Sequence, residues 1–563
     1  MIRSAPARPL AAAALAALAA ACTPAWTPPP AAGPATPASA TAASTATAPR
    51  PSTAGPHTRA ERTGYLETSR YADVVAFLDS LRAGGAAIHL DTLGFSPQGR
   101  AIPLVIASRP LVRTPEEARR LGRPIVYVQG NIHAGEVEGK EAVQALLRDL
   151  TLDPRPNVLD SVVLVAVPIY NADGNERFAA QAVNREEQNG PERVGERANG
   201  QGLDLNRDYV KAEAPETRAS LAAFARWDPD VFVDLHTTDG SYHGYALTYA
   251  PSLTPAAGAA GALTRDVLLP ELRRRMRARH GFETFDYGNF TLGYGDDVNT
   301  DTVKPGWYSY DHRPRFGTNY VGLRGRVSIL SEAFSHDPFE RRVASTYAFV
   351  REILSLAAER GRELAALRRA QPARDVAIRS ILIPHPPRGP VIAEDLAATG
   401  DSSLTQPGVP RGLRRTGRFR TLSIPVADRF VPTLTRRMPA AYALAPDATD
   451  AVRLLALHGL RVDTLRAPWR VRGEAFAVDS VVRSPREFQR HHEVRLVGRW
   501  TEVDRVVPAG WLVVRTGQPL ATLAAYLLEP ESDDGLATWN VFDAALRPGG
   551  EFPVLRVLEP AGR

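Results

Sequence analysis

The sequence predicts an α/β fold: a mixed or mostly parallel sheet layered with helices, followed by a smaller β-rich region. Three observations predict it. Short apolar runs of strand length alternate with helix-length amphipathic runs between residues 71 and 369, the pattern of an α/β layer. The residues with chemical potential fall just past the ends of those apolar runs, where open α/β sheets place their sites. After about Gln371 the texture changes, with more Pro and Arg and short alternating runs in place of long helices.

Taken in order, residues 71–81 carry Val74, Val75, Phe77, Leu78 and Leu81 at helical spacing. Residues 89–93 and 102–106 read as two strands around the turn Ser96-Pro97-Gln98-Gly99. Ile125 to Val128 is a third strand. It runs into Gly130-Asn131-Ile132-His133-Ala134-Gly135-Glu136, after which 137–150 is helical. Residues 162–169 are fully apolar, as in a strand buried on both faces. Residues 221–227 end a helix, and Val231-Phe232-Val233-Asp234-Leu235-His236 is an apolar strand closing on a histidine. Residues 327–330 form the last such strand, followed by Ser331-Glu332, and 339–369 reads as one long helix. In the C-terminal part, 419–426, 494–500 and 511–515 read as strands and 450–458 as a helix.

At 563 residues the chain is too long for one core; about 150 residues per domain suggests two to four. A net charge of +6, scattered over many Arg, argues against a nucleic-acid binder, which gathers its charge on one face. Arg3 and Arg8 precede an Ala/Leu stretch over 10–21 that ends in Ala19-Ala20-Ala21-Cys22. This reads as a secretory signal with a lipoprotein-like cleavage box, in which Cys22, the chain's one cysteine, becomes lipidated. Residues 23–59 are Pro, Ala, Thr and Ser-rich and read as a disordered tether. The expected organisation is a signal over 1–22, the tether over 23–59, a catalytic domain over 60–370 and a β-rich accessory region over 371–563. No other stretch reaches the length of a membrane span. The expected location is the cell envelope, with the membrane reached through a lipid anchor on Cys22.

His133 and Glu136, three residues apart past a buried strand, can aim at one metal ion. A catalytic zinc takes three N/O ligands and keeps a position for water, and His236 is the best third candidate. Glu332 is a candidate base and Arg207 a candidate anion binder. A second pair, His280 and Glu283, has no apolar strand before it and reads as a helix end with solvated charges.

His133-x-x-Glu136, Asn171-Ala172-Asp173-Gly174, Asp204-Leu205-Asn206-Arg207, the strand-end His236 and Leu330-Ser331-Glu332 follow one another in an order that resembles the zinc carboxypeptidases of the carboxypeptidase A type. The resemblance covers about residues 60–360. It implies a three-layer α/β/α domain with a mixed, mostly eight-stranded sheet, one zinc at its edge, and hydrolysis of C-terminal peptide bonds. It also implies roles: His133, Glu136 and His236 as zinc ligands, Glu332 as the base that activates the attacking water, and Asn206 and Arg207 as the clamp on the substrate carboxylate. For the arginine that polarises the scissile carbonyl, Arg197 is preferred and Arg193 competes. For the tyrosine that covers the substrate, Tyr320 is preferred over Tyr308 and Tyr310. The chain departs from the digestive members at Asp208-Tyr209, shows no inhibitory propeptide, and carries a long C-terminal part that the simplest members lack.

Glu138 and Glu141 are expected on a solvated helix face, His243 and His336 outside the catalysis, and the Arg-rich 411–420 in a solvated loop. The expected partners are peptide or protein C-termini, with no nucleic acid. Rival readings keep the zinc but change the substrate to peptidoglycan stem peptides or N-acyl amino acids, or make the chain an inactive peptide binder.

Overall fold

The computed structural model describes residues 55–238, 240–290, 306–386, 390–404 and 409–560; the expected signal, Cys22 and most of the tether lie outside them. The expected hairpin is present as β1 (Ile88–Phe95) and β2 (Ala101–Ala107). The apolar runs follow as β3 (Ile125–Gly130), β4 (Val163–Val167) and β5 (Val231–Thr237). Two strands not expected from the sequence, β6 (Leu247–Pro251) and β7 (Thr284–Asp286), precede β8 (Val327–Ala333). Together they make an eight-stranded sheet in the order β1-β2-β4-β3-β5-β8-β6-β7. The central four, β4, β3, β5 and β8, run parallel, and β2 and β6 join them antiparallel.

Every residue of β3, β4, β5 and β8 is buried, which is why these strands read as largely apolar runs with no polar alternation. Their side chains still alternate between faces. Val126, Val128 and Val233 point into one core with the helices α1 (Tyr71–Ala83), α2 (Glu138–Leu152), α4 (Leu269–His280) and α5 (Phe339–Glu359). Ile125, Tyr127 and Phe232 point into the other, where they meet α3 (Pro215–Trp227). The long helix expected over 339–369 is broken at Arg360, and its last part is a separate helix, Gly361–Arg368.

The second core does not stop with the eight-stranded sheet. It continues through Tyr442, Leu454, Phe476, Leu523 and Trp539 of the C-terminal part. There β13 (Ala441–Leu444), β14 (Trp469–Arg483), β15 (Val494–Val507), β16 (Leu512–Arg515) and β17 (Val554–Pro560) belong to a six-stranded sheet. Ahead of it lie β9 (Asp375–His385), β10 (Val391–Ala398), β11 (Leu413–Leu422) and β12 (Val426–Arg437). The run expected as one strand over 419–426 is the end of β11, a turn and the start of β12. The Arg-rich 411–420 lies largely in β11 rather than a loop, with Arg415 held by Glu394 at 2.6 Å and Arg420 by Asp395 at 2.8 Å. The two regions are stitched by backbone pairing: Trp307 and Tyr308 run alongside Val426 and Ala427 of β12, and His243 pairs with Ala393 of β10.

Candidate active site

The site forms at the C-terminal ends of β3, β5 and β8. After β3 the chain turns at Asn131, held in the left-handed region with φ 67°, a conformation asparagine tolerates better than most residues. The turn delivers His133 and Glu136 just before α2. Gly135 has no room for a side chain: a Cβ there would sit 2.7 Å from Arg185 Cγ and 3.0 Å from the Gly195 carbonyl. In the parallel β5–β8 register Glu332 stands beside His236, so strand pairing alone puts them together on one face.

His133, Glu136 and His236 bring one donor atom each to within 4.8 Å of one another, and all three are buried. His133 Nδ1 is 2.8 Å from Glu136 Oε1, and His236 Nδ1 is 2.9 Å from Oε2. The far nitrogens face carboxylates: His133 Nε2 lies 3.1 Å from Asp204 Oδ1, and His236 Nε2 lies 3.1 Å from Asp234 Oδ2. Carboxylates there favour Nε2–H, which leaves both Nδ1 lone pairs aimed at a third acceptor, Glu136. Three buried acceptors converging on one point repel unless a cation joins them, so the donor set fits a zinc ion.

Electrostatics around the centre act in the same direction. Burial by itself would raise the Glu136 carboxyl; when the imidazoles carry a proton in a cation's place, the charge of His133, with that of Arg185 and hydrogen bonds from both rings, holds it well below the usual carboxylate range. Asp204 is likewise held low against its burial, by Arg197, His133 and Arg207. Behind Glu136, the Thr237 N–H donates to Oε2 at 3.1 Å, and the Thr237 hydroxyl donates to Glu138. Glu138 also pairs with Arg342 at 3.3 Å. Glu141 accepts from Thr68 at 2.9 Å and from the Ser69 N–H at 2.7 Å. Both acids are fully buried, which corrects the expected solvated face. Helix α2 is enclosed between the sheet and α1, so its acids had to find partners.

Arg197 stands over these donors, with Nη1 3.1 Å from His133 Nδ1 and Nη2 2.9 Å from Asp204 Oδ2, and its side chain is 43% exposed. Arg193 is exposed elsewhere and donates to the Phe178 carbonyl at 3.0 Å. The Arg207 guanidinium stacks 3.9 Å over the Phe316 ring. Asn206 Nδ2 is 3.5 Å from His236 Nε2, while its Oδ1 accepts the Gly317 N–H at 2.9 Å.

Tyr320 is not at the site. It lies on the inward face of a helix, Gly317–Leu323, fully buried, with its hydroxyl 2.8 Å from His458 Nδ1 of the C-terminal part. Of the tyrosines weighed, Tyr310 is the one that feels the charge of Glu332, and its hydroxyl reaches Asn319 Oδ1 at 3.5 Å. Burial first, and then the charges of Glu332 and Asp234, push its hydroxyl well above the ordinary value. Its ring packs 5.3 Å from Phe316, the ring under Arg207.

Three supports are given no role from the sequence: Asp204 and Asp234 behind the imidazoles, and Arg185, which sits 3.2 Å from Glu136 Oε1 and donates to the Thr237 and Thr238 carbonyls at 3.1 and 2.9 Å. Only the first could have been sought, from its place in Asp204-Leu205-Asn206-Arg207. The second pair has dispersed: His280 Nε2 meets Glu352 at 2.9 Å and Glu283 meets Arg277 at 2.9 Å. His280 is buried rather than solvated, because α4 packs against α5. His243 is a core histidine, driven down to about 3 first by burial and then by His336 and Arg415, and packed 4.3 Å from Phe334.

Residues 74–280 match the family described as zinc carboxypeptidase. A protein of Trichophyton tonsurans named carboxypeptidase 2 is 24% identical over 478 residues, covering 82% of this chain and 81% of its own. The carboxypeptidase 2 of Trichophyton rubrum is 24% identical over 534 residues, covering 91% and 90%. A metallo-carboxypeptidase structure from Burkholderia cenocepacia overlaps 51% of this chain and 69% of its own, with a TM-score of 0.37 and 19% identity.

Proposed function

We propose that this chain, a metallocarboxypeptidase of the zinc carboxypeptidase family, removes single residues from the C-termini of peptides, with Glu332 as its general base. The observation that carries this reading is the placement of Glu332 beside His236 in the β5–β8 register, next to the converging donors of His133, Glu136 and His236. These three would hold the zinc, which when bound supplies Lewis acidity for the carbonyl and lowers the pKa of water.

The chain's own groups do the rest. Arg207 offers its guanidinium edge to the substrate carboxylate while its face rests on Phe316; a planar fork suits that contact and an ammonium does not. Asn206 adds a side-chain amide beside it. Arg197, the cation standing over the ligands, meets the charge that develops on the scissile carbonyl oxygen. Glu332 takes a proton from the attacking water and returns it to the leaving nitrogen, so that the amine departs neutral. Tyr310, which feels the charge of Glu332 and packs against the Phe316 ring under Arg207, takes the substrate-covering role expected of Tyr320.

A mass-spectrometric screen of a peptide library for C-terminal trimming tests the reading. Wild type should shorten peptides one residue at a time. Glu332→Gln should keep its zinc and lose roughly 10²- to 10⁴-fold in kcat; full activity in that variant sinks the assignment. Export and lipidation at Cys22 belong to the same reading, and a mature N-terminus starting at a diacylated Cys22 checks them by mass. Among the described residues no helix is long and apolar enough to cross a membrane.

A further inference from the structure

We propose that Gln489, in the C-terminal part, is a positioning residue of the catalytic centre. Its side-chain carbonyl fixes the Asp204 loop and, through Asp204, the orientation of His133 and Arg197. The proposal rests on His133 being a zinc ligand, and it gives residues 371–563 a part in the chemistry.

Asp204 links two groups of the centre: His133 Nε2 lies 3.1 Å from its Oδ1, and Arg197 Nη2 lies 2.9 Å from its Oδ2. The loop before it closes on itself, with Asn199 accepting the N–H groups of Gln201 at 2.9 Å, Gly202 at 2.9 Å and Leu203 at 3.0 Å. The Asp204 N–H is served from outside, by Gln489 Oε1 at 3.0 Å.

The turn that presents Gln489 is strained, and the strain falls on the residues that reach across. Phe488 and His491 exchange both backbone hydrogen bonds, at 2.8 and 2.9 Å, closing a two-residue turn. Its two corner residues, Gln489 with φ 49° and Arg490 with φ 69°, are both left-handed and neither is glycine. Turns of this kind favour Asn-Gly or Gly-Gly, since other side chains pay for the conformation. Here the corner side chains are the ones in contact: Gln489 with Asp204, and Arg490 with the Gln201 carbonyl. The turn is also anchored from both sides, by His491 Nε2 at 2.9 Å from Glu213 and by Glu493 at 2.6 Å from the fully buried Arg315. An anchored turn carrying unfavourable corner residues fits a device for aiming a side chain.

The test separates aiming from folding. Gln489→Gly removes the acceptor and also relaxes the left-handed backbone. The expected result is a Tm no lower than wild type, a zinc Kd raised about tenfold and a kcat lowered about tenfold, with KM little changed. Gln489→Glu, which keeps an acceptor of the same length, should restore most of both. A Gly variant with wild-type zinc Kd and kcat overturns the proposal, as does a loss that tracks a fall in Tm or that Glu fails to restore. A wild-type protein that binds no zinc overturns the reading of the centre itself, and this proposal with it; an active, zinc-loaded wild type confines any failure to Gln489.

Discussion

The chain spells His-x-x-Glu twice, at 133–136 and at 280–283, and folds the two copies to opposite ends. The first copy follows a buried parallel strand and precedes a helix. Its side chains converge, 2.8 Å apart, and a third donor arrives in register from β5. The second copy straddles the end of α4, and its members part toward Glu352 and Arg277. A three-residue spacing lets two side chains meet but does not make them do so. What decides is whether acceptors on other strands aim at the same point, and whether the rest of the surroundings supplies neutralising partners first. At 280–283 it does: the Glu352 carboxylate takes His280 and the Arg277 guanidinium takes Glu283.

Substitutions sharpen that contrast, from complete loss to a purely structural effect. His133→Ala should empty the first site and take activity to the detection limit, read by metal analysis alongside peptide turnover; a zinc-loaded, active His133→Ala protein would remove this residue from the ligand set. Arg207→Lys should raise KM roughly 10- to 100-fold with zinc content unchanged, because an ammonium cannot reproduce the bidentate contact. Asp204→Asn should weaken zinc binding by about 10- to 100-fold, as expected when the group orienting a ligand imidazole is altered; competition with a chelator of known affinity measures it.

The smallest catalytic effect belongs to the second copy. His280→Ala should leave zinc content and kcat at wild-type levels and cost only stability, about 1–3 kcal/mol. That cost has a pH signature. Burial raises the Glu352 carboxyl, but His280 and Arg279 outweigh it and leave the folded value below the ordinary 4.5. A carboxyl depressed on folding stabilises the protein above its unfolded pKa and loses that contribution as pH falls through the folded one. The Tm gap between wild type and His280→Ala should therefore be full at neutral pH and close in acid, below about pH 4.5. A gap that widens in acid would mean that the pair is not what holds His280.

Much of the sheet was legible because its central strands are buried on both faces and so appear as apolar runs with little polar interruption. The short β6 and β7 were missed because neither rises out of the Gly-, Asp- and Tyr-rich sequence around it. The helix over 339–369 was read as continuous because the break at Arg360 has no proline to announce it. Glu138 and Glu141 were misplaced for a different reason. Glutamate in the first turn of a helix favours the surface on composition alone, and burial was decided by Thr68, Ser69, Thr237 and Arg342 from other elements.

By itself, the sequence determined where the first hairpin and the four central strands run, that His133 and Glu136 share a turn, and that His236 and Glu332 lie at strand ends. Each of these rests on local periodicity and spacing, which survive in a linear chain. Tertiary structure alone decided that β5 and β8 are neighbours in register, that Arg185 reaches Glu136 and that Asp204 reaches His133. It also brought Tyr310 within the field of Glu332 and turned Tyr320 toward His458, 138 residues away. It closed the Asp204 loop with Gln489 from 285 residues away. The last two pairings join the two regions of the chain that share the second core, and none of these pairs has both partners in one short window of sequence.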